Sequence, residues 1–360
     1  MGIKLGEICK FQSGGTPAKG KAEYFNGNIP WITTTALNGG KIGESAAVDW
    51  ITEKAIGESA AKIVPAFSIM VGTRVGVGKV AVNTVDMSTS QDIISLIGIN
   101  ESVWSKDFLC KYLQGKSAYL NAQARGATIK GIKIDVLAAL ELPTISLEEQ
   151  QHISAVIDAT KRIISSRQQE LQKLDELIKA RFVEMFGDPI HNTQNRPTTE
   201  FINVVKMQRG FDLPVQDRQQ DGDIPVYGSN GALDHHNVAK ITGGGVITGR
   251  SGTIGKVFYT EGDYWPLNTS LFSVDTHGNN VIYLAKLLEL YDLSRFVEGT
   301  GVPTLNRNMF HNKQIIDVSI DEQNQFADFI KQVDKSKFAV QKALGKAQLL
   351  FDSLMQQYFG

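Results

Sequence analysis

Cysteine is almost missing. Cys9 and Cys110 are the only two in 360 residues, too few and too far apart for a disulfide framework or a zinc site, which fits a reducing compartment. Long apolar runs are missing too, since none approaches the roughly 20 residues needed to span a bilayer. The opening "MGIKLGEICK" has neither the charged start nor the apolar stretch of a secretion signal, and residue 6 is Gly6 where myristoylation wants Ser or Thr. A cytoplasmic protein is expected. No sign of charge dominates: 37 basic and 38 acidic side chains leave a net charge of −1. That excludes a uniformly basic surface but not nucleic acid, because binding depends on where the cations sit. The rest is ordinary, 42% hydrophobic and 21% charged, a globular chain long enough for two or three domains.

Catalytic patterns are also lacking. "TGRSGTIGKV" (248–257) looks at first like a phosphate-binding loop, which needs G-x-x-x-x-G-K-[ST]. Arg250 stands five residues before Gly255, and Val257 follows Lys256. The parallel stretch "VGTRVGVGKV" (71–80) fails in the same way, at Thr73 and Val80. No serine sits in a G-x-S-x-G context. His235 and His236 are neighbours on a strand-like run and point to opposite faces, which argues against a shared metal site with Asp234. Asp49, Asp92 and Glu141 have no spacing that makes an acid site, and solvated carboxylates are the default. No catalytic, cofactor or metal constellation is found in this chain.

What is present is a duplication. "ISLEEQQ" (145–151) returns as "VSIDEQN" (318–324) and "MFG" (185–187) as "YFG" (358–360), both offset by 173. Upstream the offset drifts, to 177 for the two "GKV" stretches and 195 for "GNIPW" and "GDIPV". Drifting offsets mean loops of unequal length on one scaffold. The chain is two copies of a divergent globular part followed by a tail of constant length.

The tails read as long helices. Each opens with a capping box, Ser146 to Glu149 and Ser319 to Glu322, in which Ser caps the N3 amide and Glu reaches back. The first ends at Gly187, suited to a left-handed position, with Pro189 beyond it. Between these marks, positions 153, 157, 160, 164, 167, 171, 174, 178, 181 and 185 form a heptad seam, repeated from Phe326 to Tyr358. Two seams in one chain bury apolar area that neither helix buries alone. A parallel pair would force the chain back over a whole helix, about 60 Å for some forty residues at 1.5 Å each, so an antiparallel pair is expected. Strand-like runs such as "KIVPAFSIMVG" and "GGGVITG", then one helical stretch per copy, make each globular part mixed. The expected fold is α+β: two mixed α/β domains (1–145 and 188–319) joined by two antiparallel coiled-coil helices (146–187 and 320–360), a pseudo-twofold dumbbell.

In this order "GNIPW"/"GDIPVYGSNGAL", "GTRVGVGKV"/"GRSGTIGKV", "LPTISLEEQ"/"VSIDEQ" and the terminal helices resemble the specificity subunits of type I restriction-modification systems. The resemblance covers essentially the whole chain. Each motif is short and moderately specific, but their duplicated order is far more so. "GATIKGI" and "GTGVPTLN" differ in length and character between the copies. The resemblance implies no catalysis in this chain: each target recognition domain reads one half of a bipartite double-stranded DNA target, and the helices set the unread gap. Diverged loops imply unlike half-sites and an asymmetric target. Implied partners are two methylation subunits, which bind S-adenosylmethionine, and restriction subunits, with ATP and Mg also expected on the partners. The chain itself has no Asn-Pro-Pro-Tyr-like methylation motif and no Pro-Pro pair.

For DNA contact the candidates are polar and cationic residues of the glycine-rich loops. In the first domain they are Thr33, Thr34, Thr35, Lys41, Arg74, Lys79, Arg125 and Lys130; in the second, Tyr227, Ser229, Asn230, Arg250, Ser251, Lys256, Asn306 and Arg307. Tyr227 as a core filler and Lys41 as a solvated turn residue are the plainer readings, and a hairpin turn that only builds the core is the plainer reading of the "GKV" loops. Residues 1–145 carry 15 basic and 12 acidic side chains, whereas 188–319 carry 11 and 14. The second domain must therefore gather its cations on one face. The alternative to a DNA reader is a two-headed protein-binding scaffold with a coiled-coil spacer; a nucleotide-dependent enzyme is weaker still after the failed phosphate loop.

Overall fold

The computed structural model describes residues 2–126, 130–298 and 303–360. Two helices of forty residues each, Leu147–Phe186 and Ile320–Phe359, begin and end where the sequence marks them. Gly187 follows the first with φ +80°, the left-handed turn that glycine adopts without a Cβ penalty. The N-terminal caps form only in part. Ser146 Oγ accepts the Glu149 amide at 3.1 Å and Ser319 Oγ the Glu322 amide at 3.4 Å. The Glu322 carboxylate does not return to the cap amide; it takes the Ser319 hydroxyl at 2.9 Å and Arg196 Nη1 at 2.7 Å. The Arg196 guanidinium accordingly holds the Glu322 carboxyl below the usual range.

The chain divides into two compact units, Met1–Ser166 with Leu344–Gly360, and Arg167–Ala343. Each contains the beginning of one long helix and the end of the other. In the second unit Lys337 pairs with Asp175 at 2.6 Å, while Phe326 meets Phe182 and Phe186 with ring centroids 5.4 and 5.5 Å apart. The first helix rises in number as the second falls, so the pair is antiparallel. In the first unit Lys161 lies over the Phe351 ring, and Phe359 packs edge-on against Phe108 and Tyr112. All ten seam positions in each helix are buried or half-buried.

Each unit is mixed α and β. The first has a five-stranded sheet, in order Lys10–Ser13, Ile93–Ile97, Ile69–Gly72, Val80–Asn83, Lys41–Ile42, and a four-stranded sheet around Phe25–Ile32. The second has a four-stranded sheet, Lys206–Arg209, Ser270–Asp275, Gly245–Gly249, Val257–Thr260, and a three-stranded one around Ile224–Gly228. The registers repeat: Ile94 lies opposite Val71, and Leu271 opposite Thr248. One helical stretch follows each main sheet, Lys106–Gly115 continuing as Ser117–Gln123, and Val281–Tyr291. Their apolar faces join the sheet and the long helices in the main core of each unit.

The repeated "EQ" of the two tails has a structural role. Gln150 and Gln323 are both 1% exposed. Gln150 Oε1 accepts the Ser105 amide at 2.9 Å, and its Nε2 donates to the Val103 carbonyl at 3.1 Å. Gln323 Oε1 likewise accepts the Asn280 amide at 2.9 Å, and its Nε2 donates to the Val318 carbonyl at 2.8 Å. Ser105 and Asn280 cap the shorter helices, so each glutamine ties a long helix to its own globular part. Gln323→Leu leaves a buried amide and a buried carbonyl unmatched and is expected to lower stability by about 2 kcal/mol or more. Urea denaturation beside the exposed-site control Gln325→Leu checks this, and equal midpoints for the two variants would remove the glutamine from the account.

Candidate nucleic-acid interface

The two "GKV" stretches are strand, turn and strand. Residues 73–79 join Ile69–Gly72 to Val80–Asn83, and residues 250–256 join Gly245–Gly249 to Val257–Thr260. Equivalent glycines, Gly78 at φ +79° and Gly255 at φ +89°, make the turns possible. The loop amides are not free to cradle an anion. Gly78 N–H donates to the Gly72 carbonyl at 3.0 Å, Lys79 N–H to Gly76 at 3.1 Å, and the Arg250 and Ser251 amides both to Thr269. At these four positions the amides are already taken by backbone carbonyls, so what the loops offer there is side chains.

A second hairpin leans on each loop. Arg125 and Gly131 bridge each other, as do Val297–Glu298 and Thr304–Leu305. The Ile132 amide donates to the Thr73 carbonyl and the Leu305 amide to the Arg250 carbonyl, both at 2.8 Å. The offset of 173 thus reaches back from the long helices to Arg125 and Glu298, so the described flanks of "GATIKGI" and "GTGVPTLN" are equivalent in the two units. Their tips, 127–129 and 299–302, lie outside the described residues.

Where the hairpins meet, each unit has a cavity. In the first it is about 560 Å³ and lined by Arg74, Gln123, Arg125 and Lys133 among others. In the second it is about 220 Å³, with Arg209, Arg250, Asn306, Arg307 and Asn308. No acidic residue is among the described residues lining either one. None of these six cations makes an ion pair or side-chain hydrogen bond with a described residue. Lys133 and Arg209 escaped the sequence reading. Lys133 sits one residue past "GATIKGI", and Arg209 ends a strand 41 residues before Arg250; only the fold brings them in.

The other candidates scatter. Thr34 is 4% exposed, its methyl packed toward Gly72, so it supports the loop from beneath. Thr33 and Thr35 bond each other through their hydroxyls at 2.8 Å. In the second unit Ser229 backs Gly249 and Gly252, and Asn230 Oδ1 accepts from Lys256 Nζ at 2.8 Å. Tyr227 is half-buried edge-on to Tyr264, as a core filler would be. Lys41 lies in another groove, with Asp107, Lys111, Asp158 and Lys161. Lys79 and Lys130 are exposed, Ser251 bridges Thr304, and Asn306 Oδ1 caps the Asn308 amide at 3.1 Å. Beside the second cavity, burial and the charge of Arg307 hold His311 below its ordinary pKa, and its Nε2 accepts the Met207 amide at 3.1 Å. His235 is exposed and His236 buried. Among the described residues no cluster of His, Cys, Asp and Glu could hold a metal, and no helix is long and apolar enough to cross a membrane.

Two halves with one hairpin architecture and one cation-lined cavity apiece make a duplicated structural module. The model of the type I restriction modification DNA specificity domain matches residues 1–176 and again 193–348, and the chain belongs to that family. It is similar to the type I restriction enzyme MjaIX specificity subunit of Methanocaldococcus jannaschii, 30% identical over 51% of this chain and 43% of that protein. It is similar also to the EcoR124I/EcoR124II specificity subunit of Escherichia coli, 30% identical over 48% of this chain and 44% of that one. The matched stretch spans less than half the length of either relative. Among solved structures, the S subunit of a type I restriction-modification system from M. genitalium covers 100% of this chain and 96% of its own, with TM-score 0.62 and 15% identity. A structure addressing complex assembly and conformational transition of the type I R-M system has TM-score 0.67, 14% identity and coverage of 100% and 97%. At these identities the likeness is one of fold.

Proposed function

We propose that the chain is the DNA-reading subunit of a type I restriction-modification complex. Each globular part reads one half of an asymmetric bipartite target, and the paired helices fix the gap between the halves. The chain does no chemistry: S-adenosylmethionine, ATP and Mg belong to the methylation and restriction subunits it docks. The observation that carries this reading is the duplicated hairpin loop with its group of cations, which have no acidic partner among the described residues, in a chain of the DNA specificity family. Cations without internal partners are what a polyanion recruits. Docking is supported by Phe338, Leu349 and Leu350 on the second long helix, large apolar side chains all more than half exposed.

Methylome sequencing of cells carrying the chain with its methylation and restriction subunits is expected to return a two-part motif with a fixed gap and unlike halves. Arg74→Ala and Arg250→Ala are each expected to weaken DNA binding of the assembled complex roughly tenfold. A genome without any methylated motif would leave the protein-scaffold reading in its place, whereas unaltered and salt-insensitive binding by both variants would make the loop assignment wrong.

A further inference from the structure

We infer that each unit holds a seat for a backbone phosphate of the DNA, separate from whatever reads the bases, and that its three cations arose independently in the two halves. The inference rests on the DNA-reading function proposed above and assigns one of its parts. The cavities are equivalent, because the same backbone hydrogen bonds frame them, Ile132 to Thr73 and Leu305 to Arg250. The cations are not. Arg74 corresponds to Ser251 and Arg250 to Thr73, through the repeated hairpin. Arg125 corresponds to Glu298, through the bridges to Gly131 and Thr304. Lys133 and Ile134 follow Ile132 as Asn306 and Arg307 follow Leu305. Arg209 corresponds to Ser13, since each pairs with the strand position facing Thr248 or Val71. None of the six has a cation at its counterpart.

Shared ancestry therefore explains the cavity but not its charge. Three like charges with no counter-ion among the described residues lining the cavity repel one another and gain nothing from folding. The second globular part is acidic, 11 basic against 14 acidic side chains, yet three of the eleven line this one cavity and no described acid does. Divergence that replaced every cation and kept three in the same place points to an anion both halves meet. Two half-sites of different sequence have in common the phosphate backbone, which bears charge and no sequence information.

The test uses the chain assembled with its methylation subunits and a duplex carrying the methylated motif, beside a duplex with one half-site scrambled. Arg209→Gln/Arg250→Gln/Arg307→Gln, and separately Arg74→Gln/Arg125→Gln/Lys133→Gln, are titrated across salt concentration. Each triple variant is expected to lower the magnitude of the log K against log [salt] slope by about 0.9, the value for one neutralised phosphate. Affinity should fall in proportion on both duplexes, and the methylated motif should keep its sequence. Arg250→Lys should retain the slope that Arg250→Gln loses, and the single variants, each lowering it by a part of about 0.9, serve if a triple variant fails to fold. An unchanged slope, or a base change in the motif at unchanged slope, overturns the seat. So does tight binding of inorganic phosphate or ATP by the DNA-free complex that the triple variant abolishes, which assigns the cavity to a small anion. A wild-type complex whose DNA binding is salt-steep and lost in the triple variants, but blind to sequence, upholds the seat and defeats the reading function instead.

Discussion

Phe182→Ala will lower the stability of the second unit by about 3–5 kcal/mol, the cost of emptying a large buried aromatic site. Phe182, Phe186 and Phe326 are each 0% exposed and Tyr283 is 1% exposed. Their rings meet at centroid distances of 5.0 Å for Phe182 to Phe186 and 5.3 Å for Phe186 to Tyr283. This cluster joins the end of the first long helix, the start of the second and the Val281–Tyr291 helix, so a cavity there loosens three elements at once. Its counterpart in the first unit is Phe359, seated on Phe108 and Tyr112, where Gly115 leaves room that a Cβ, 2.6 Å from that of Phe359, would take. Hydrogen exchange read by mass spectrometry checks the assignment. Protection should fall in Gly245–Gly249 and Ser270–Asp275 for Phe182→Ala, and in Ile69–Gly72 and Ile93–Ile97 for Phe359→Ala. Loss spread equally over both units by either variant would show that the clusters do not anchor separate cores.

The aromatic anchor was visible in the sequence as an unexplained echo, "MFG" and "YFG" at an offset of 173. The helices, seam and turns were legible for a related reason: they are periodic or marked by glycine, and they occur twice. Comparing the copies has the opposite effect at the cavities. It keeps what recurs and discards what does not, and none of the six cations recurs at its counterpart. Arg74, Arg125, Arg250 and Arg307 were found because they stand in glycine-rich loops; Arg209 and Lys133 were not, since the end of the Lys206–Arg209 strand and the N-cap of the short Ile134–Ala138 helix carry no such mark. Thr34 was misread from the other side. A threonine beside a turn looks available, but its burial depends on Gly72 approaching from a strand nearly forty residues away, a contact that local pattern does not encode. The capping box failed at Glu322 likewise, because Arg196, 126 residues distant, competes for the carboxylate.

Gly249→Ala should abolish recognition by the second half while leaving the first intact. A Cβ built on Gly249 would overlap the Thr253 carbonyl oxygen and come within 2.8 Å of the Ser229 carbonyl oxygen. Both are backbone atoms in tight loops, so neither can swing away as a flexible side chain would. Relief requires the 250–256 turn to move, and that turn is pinned at Arg250, whose amide donates to Thr269 and whose carbonyl receives Leu305. The strain costs about 1–3 kcal/mol, and its release displaces the turn that carries Ser251 and Lys256 together with the Ser229–Asn230 loop to which Lys256 is bonded. In the assembled complex, methylation should become indifferent to bases in one half-site and remain strict in the other. Gly345→Ala is the matched control: nothing lies within 4 Å of its added Cβ, on an exposed turn of the second long helix, and alanine there should add about 0.5–1 kcal/mol of stability. A Gly249→Ala complex that still demanded both half-sites would mean that the turn does not position the reading surface, and the "GKV" stretch would revert to a hairpin that only builds the core.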